Sequence, residues 1–148
     1  NIYVGITDSS WFQFHRARNA DEVNFWKPGE TPFRALDIGD PLVERQLFLF
    51  QRKAPIGKIA GGGYFRRYKF ARLSEAWDFY GLDNGAQSRE EFESLIRPHM
   101  RGERAHDVDP KIGCILLSDV FFLPEPLWFS IPGFTPYGPG KTFREGTS

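Results

Sequence analysis

The chain has 148 residues, 41% of them hydrophobic and 16% aromatic, enough for one domain with a real core. Its 19 basic residues balance 19 acidic ones, so any attraction to a polyanion must come from a local concentration of charge. The single cysteine, Cys114, excludes an internal disulfide framework; no run reaches the ~18 apolar residues of a membrane helix, and no signal peptide opens the chain.

Residues 2–7 (IYVGIT) alternate in character and predict a strand. Asp8 and Ser9 offer N-cap oxygens to a helix over 10–18, on which Trp11, Phe14 and His15 share a face. Residues 21–29 (DEVNFWKPG) form a short extended piece that stops at Pro28-Gly29, and 31–36 is extended again before the turn IGDPL. Residues 46–52 (QLFLFQR) have strong strand propensity. Ala54-Pro55-Ile56-Gly57 reverses the chain, and 58–70 returns as a long strand, broken or bulged at Gly61, Gly62 and Gly63. A helix over 73–80 ends at Gly81; NGAQS (84–88) turns; a second helix opens on the capping box of Ser88 and Glu91 and runs to Arg97. Residues 100–111 read as a loop, 112–117 (IGCILL) as a buried strand holding Cys114 in the core, and 121–122 and 128–131 as short strands among prolines. The order β-α-β-β-β-α-α-β-β predicts an α+β fold, a small curved mixed barrel with helices packed outside. The domain is expected to span 1–140, with 141–148 the start of a linker.

Three groups of residues carry chemistry. The stretch 52–72 holds Arg52, Lys53, Lys58, Arg66, Arg67, Lys69 and Arg72 and no acid, with Tyr64 and Phe65 beside the glycine triplet. Positive charge beside flat apolar surface is what a polyanion with bases requires; the plainer reading is a solvated basic hairpin. NFWKPG (24–29) sets the amide of Asn24 beside Phe25 and Trp26, where a ring can stack on a base and an amide can read its edge; the plainer reading is two core rings and a turn cap. Asp8 and Trp11 belong to the same neighbourhood, Asp8 either accepting from an exocyclic amine or capping the helix. The glycine triplet lacks the Gly-Lys-Ser/Thr of a phosphate loop, and His15, His99, His106 and Cys114 lack metal-ligand spacing. No cofactor or metal is expected, and the pattern points to binding rather than catalysis.

The blocks VGITD, VNFWKPG, FRAL, LFLF, GGGYF, LSEAWDFYG with NGAQS, IGCILL and FF followed by GKTF, in that order, resemble the N-terminal region of predicted restriction endonucleases whose C-terminal part is an HNH nuclease. That region is identified as a member of the PUA superfamily, the curved barrel shared by SRA, EVE, ASCH and YTH readers. The resemblance implies a module that binds double-stranded DNA and takes a modified base from the stack. It implies a pocket of Asp8, Trp11, Asn24, Phe25, Trp26, Tyr64 and Phe65. Phosphates would be gripped by Arg52, Lys53, Lys58, Arg66, Arg67 and Lys69. The expected mark is 5-methyl- or 5-hydroxymethylcytosine. A covalently linked nuclease domain is the expected partner, with a homodimer left open, and the prokaryotic cytoplasm the expected location. Two alternatives stand beside it. A phosphorothioate reader would use Ile131, Pro132 and the run from Tyr137 to Pro139. A small metal-dependent nuclease would use His106, Asp107 and Asp109.

Overall fold

A computed structural model describes residues 3–29 and 46–131 and the backbone of 142–144. Six strands, β1 (Tyr3–Thr7), β2 (Val23–Lys27), β3 (Leu47–Arg52), β4 (Ile59–Arg72), β5 (Lys111–Phe122) and β6 (Thr142–Arg144), form one sheet in the order β2-β5-β4-β3-β1-β6. β1 and β3 are parallel; the other neighbours are antiparallel. Three α-helices, α1 (Ser9–Ala17), α2 (Leu73–Tyr80) and α3 (Arg89–Ile96), complete the α+β fold.

The sheet is curled, and the rings explain why. Phe25 of β2 packs on Phe48 and Phe50 of β3, although β5 and β4 lie between those strands in the hydrogen-bonded order. A Cβ on Gly5 of β1 would stand 2.6 Å from the Phe25 ring and 2.8 Å from Phe48, so the missing side chain lets the sheet close on itself. Tyr3, Trp11, Phe12, Phe25, Phe48, Phe50, Phe65 and Tyr68 fill the interior. The outer face of β5 (Ile112, Cys114) is covered by α2 and α3 through Leu73, Ala76, Phe92 and Ile96. Cys114 is buried there, as expected, and burial pushes its thiol up to about 11.

Several expectations change in detail. β5 is one strand of twelve residues that absorbs Phe121 and Phe122. Of the piece 128–131 only a single bridge, Phe129 to Ile59, is formed. Gly61, Gly62 and Gly63 lie inside β4; Gly61 and Gly62 are paired on both sides, and Gly63 pairs with β3 but is skipped on the β5 side, the irregularity expected at the triplet. A Cβ on Gly62 would lie 2.7 Å from the Phe48 carbonyl oxygen, so strands, not a ligand, claim the space. The loop 100–111 contains a 3₁₀ turn, Gly102–His106, and another, Arg97–His99, precedes it. Thr142–Arg144, in the tail read as linker, pairs with β1. The extended piece 31–36 and the turn IGDPL fall outside the described residues. Among the described residues no helix is long and apolar enough to cross a bilayer.

Candidate nucleic-acid interface

An open cleft of about 260 Å³ lies where β1, β2 and β3 end, lined by Ile6, Thr7, Asp8, Trp11, Phe25, Trp26, Lys27, Pro28, Lys53, His99 and Arg101. Topology brings these residues together. The curl sets the end of β2 opposite β1, and the parallel register of β1 with β3 (Thr7 opposite Arg52) delivers Lys53 to the same rim. The turn after α3 adds His99 and Arg101.

The two-residue alternation of β2 decides which side chain goes where. Phe25 and Lys27 face inward: Lys27 Nζ sits 5.8 Å above the Phe25 ring. Asn24 and Trp26 face the helices. Trp26 packs on Phe92 and donates from Nε1 to the Asn84 carbonyl at 2.8 Å. Asn24 is fully buried and donates from Nδ2 to Asn84 Oδ1 at 2.9 Å. Asn84 in turn donates to the carbonyls of Ala76 (3.0 Å) and Gly81 (2.9 Å), tying α2, the following turn and β2 together. Arg104 fixes the far end of β2 by donating to the Pro28 carbonyl at 2.7 Å. The cleft wall is thus braced from behind, and of its rings Trp26 is half-buried while Trp11 and Phe25 are 3% and 5% exposed.

Trp11 and Asp8 come from the start of α1. Asp8 caps the helix through Oδ1, accepting from Ser10 N (2.9 Å) and Trp11 N (3.3 Å). Trp11 donates from Nε1 to the Asn24 carbonyl at 3.1 Å and rests edge-on against His15, 4.4 Å between centroids. His15 is fully buried; burial, then the nearby Arg18 guanidinium, lowers its pKa to about 3, so it stays neutral.

Of the expected pocket, the structure gathers Asp8, Trp11, Phe25 and Trp26 at the cleft. Asn24 is withdrawn, because alternation turns it into the helix layer and Asn84 engages its amide. Phe65 is interior core and Tyr64 is half-buried on β4; neither lines the cleft. The expected phosphate grip divides too. Lys53 is at the rim. Arg52 is only 5% exposed, its guanidinium 4.4 Å over Phe12 and 5.3 Å over Trp128; these rings, not solvent, hold the charge. Lys58, Arg66 and Arg67 are exposed and Lys69 Nζ lies 4.6 Å over Phe79, all outside the cleft lining. The basic hairpin therefore delivers one lysine to the cleft.

Two cations at the cleft were not singled out from the sequence. Arg101 came from a stretch read as loop. Lys27 carried a signal: Val23, Phe25 and Lys27 share strand parity, so a charged residue was due at the inner end of β2. Lys27 is 6% exposed, its Nζ has no hydrogen-bond partner among the described residues, and burial pushes its pKa down to about 8. Among the described lining residues Asp8 is the one carboxylate against Lys27, Lys53 and Arg101. Of the nuclease alternative, Asp109 is engaged, accepting from Ser74 N at 2.9 Å and Ser74 Oγ at 2.5 Å; among the described residues no group of three or more His, Cys, Asp or Glu could hold a metal. The phosphorothioate surface lies, apart from Ile131, outside the described residues.

No family model matches the sequence, and no curated protein does. Two solved structures share the fold: the crystal structure of ASCH from Zymomonas mobilis (TM-score 0.59, 13% identity, 97% of this chain and 88% of that one) and that of a point mutant of the same protein (TM-score 0.60, 13% identity, 97% and 91%). The chain therefore shares the curved α+β fold of that ASCH structure, the fold that the order of elements and the resemblance implied.

Proposed function

We propose that this domain binds nucleic acid by admitting one base to the cleft. On duplex DNA, it reads a modified cytosine (5-methyl or 5-hydroxymethyl) as the specificity module of a modification-dependent restriction endonuclease. The cleft itself carries the reading: an open hollow to which the half-buried Trp26 offers the more exposed ring, backed by the core rings Trp11 (3% exposed) and Phe25 (5%), with the exposed Lys53 and Arg101 in its lining. Rings give a base a surface to stack on, and cations at the mouth suit the phosphates on either side of it. The block order that resembles HNH-linked readers supports the same assignment.

The energetics set what else the cleft must supply. Flipping a base costs a few kcal/mol. Stacking on Trp26 returns ~1–3 kcal/mol. Hydrogen bonds to the base edge and burial of the added methyl must make up the difference, and the methyl, at ~0.8 kcal/mol, is enough to tilt a near-balanced exchange toward marked DNA. Fluorescence anisotropy at two fixed salt concentrations, with matched methylated, hydroxymethylated and unmodified duplexes, tests this. Tighter binding of a marked duplex, lost in Trp26→Ala, is expected; equal affinity for all three at both salts overturns the modified-cytosine assignment, and no salt-dependent binding of any overturns nucleic-acid binding.

A further inference from the structure

Lys27 is a buried cation whose ammonium, among the described residues, makes no hydrogen bond and meets only the face of the Phe25 ring, 5.8 Å away. It is 6% exposed and lines the cleft at the inner end of β2. A folded protein ordinarily pairs such a group or removes it, because an unpaired ammonium out of water is costly. The described residues around the cleft do not relieve the cost: Asp8 after β1 commits Oδ1 to the helix cap and forms no ion pair with Lys27, Lys53 after β3 and Arg101 after α3 add further positive charge, and His99 is the remaining titratable group among them.

We propose that the Lys27 ammonium is the specificity-determining donor of the cleft, reserved for an acceptor oxygen of the kind a pyrimidine carbonyl presents. This rests on the proposed base-binding role and deepens it. A carbonyl oxygen fits the site better than a phosphate. Beside Lys27 the lining includes Ile6, Trp11 and Phe25, which suit a flat neutral ring but give the several oxygens of a phosphate no free donor, the Trp11 indole N–H being held by the Asn24 carbonyl. The exposed cations, Lys53 and Arg101, stand where a phosphate can keep its water. Lys27 therefore takes the edge-reading role that the buried Asn24 cannot fill, and its strength as a charge-assisted donor makes an inserted base without that oxygen a poor ligand.

The test follows the Lys27 side-chain carbon shift by NMR, in protein carrying carbon-13 lysine, across a pH titration. 5-Methyl-2′-deoxycytidine, 2′-deoxyadenosine and inorganic phosphate are added separately. The carbonyl-bearing nucleoside should raise the Lys27 midpoint from about 8 by roughly one pH unit or more, with adenosine and phosphate leaving it in place. No movement with the pyrimidine, or equal movement with adenosine, overturns the proposal; movement with phosphate alone makes the site an anion site instead. Lys27→Met should melt at a higher temperature than the parent while losing tenfold or more in nucleoside affinity; a lower melting temperature would mean that Lys27 has a structural partner, and would overturn it too. The sign is fixed by the lowered pKa: the unfolded chain keeps the proton up to the ordinary 10.5 and the native one sheds it near 8. The variant's gain is thus largest below pH 8 and vanishes toward pH 10.5. A nucleoside response without duplex binding would leave Lys27 as proposed and remove the duplex-reader reading; duplex binding that survives Lys27→Met undiminished would do the reverse.

Discussion

Replacing Asn84 with alanine should be among the most damaging single changes outside the interior rings. Its side chain makes three hydrogen bonds: Nδ2 donates to the carbonyls of Ala76 and Gly81, and Oδ1 accepts from Asn24 Nδ2. At a net ~1 kcal/mol each the loss is about 3 kcal/mol, and it approaches 5 where Asn24's amide is left buried without an acceptor. Urea unfolding followed by tryptophan fluorescence reads the change as a lower midpoint at unchanged slope. Asn84→Asp is the informative companion. It keeps the volume and the acceptor for Asn24, but sets a carboxylate oxygen against the two carbonyls, so at neutral pH it should cost at least as much as alanine. The backbone carbonyl of Asn84 also holds Trp26, so both variants should weaken ligand binding at temperatures where they remain folded. A loss below 1 kcal/mol for Asn84→Ala, or an aspartate tolerated like the parent, would refute the view that this residue braces the cleft.

Other consequences follow from the same geometry. His15 has a native pKa near 3 against 6.5 unfolded, so the unfolded chain binds the extra proton and stability falls as pH drops through that window. Between pH 8 and pH 5 the loss is about 2 kcal/mol by urea midpoints, and His15→Leu should flatten that slope; an unchanged slope would mean other groups carry it. Gly62→Ala, with a Cβ placed 2.7 Å from the Phe48 carbonyl in a doubly paired strand, should destabilise by about 3 kcal/mol in the same assay; a neutral result would place the strand crowding elsewhere. Lys53→Ala should reduce the salt dependence of DNA binding by about one phosphate contact, whereas Arg66→Ala, outside the cleft lining, should leave it nearly unchanged; the opposite pattern would move the interface to β4.

How far the sequence could be read depends on the range over which each residue acts. Strands, helices and caps are local, and they were legible: α2 falls at Leu73–Tyr80 and ends at Gly81, Asp8 caps α1, and Ser88 accepts from Glu91 N, one half of the expected capping box, while the Glu91 carboxylate accepts from Gln87 N instead. Asp8, Trp11, Phe25 and Trp26 were legible as site candidates because they sit at strand and helix ends, where chain termini of a barrel converge. Asn24 was misread because its partner, Asn84, is sixty residues away and nothing local announces the pairing. Arg52 was misread because its charge is local but the rings that cover it, Phe12 and Trp128, come from opposite ends of the chain. The glycine triplet was read correctly as close approach, with the approaching backbone now identified as Phe48's. Lys27 follows the two large rings of NFWKPG, and strand parity puts it on the same face as Phe25.

The central claim, that nucleic acid enters the hollow between β1, β2 and β3, is tested most directly by mapping NMR shifts of the folded protein on addition of a short duplex bearing 5-methylcytosine. The account predicts the largest changes at Thr7, the Trp26 indole, Lys27, Lys53 and Arg101. Changes confined to Lys58, Arg66 and Arg67, with the cleft resonances unmoved, would contradict it.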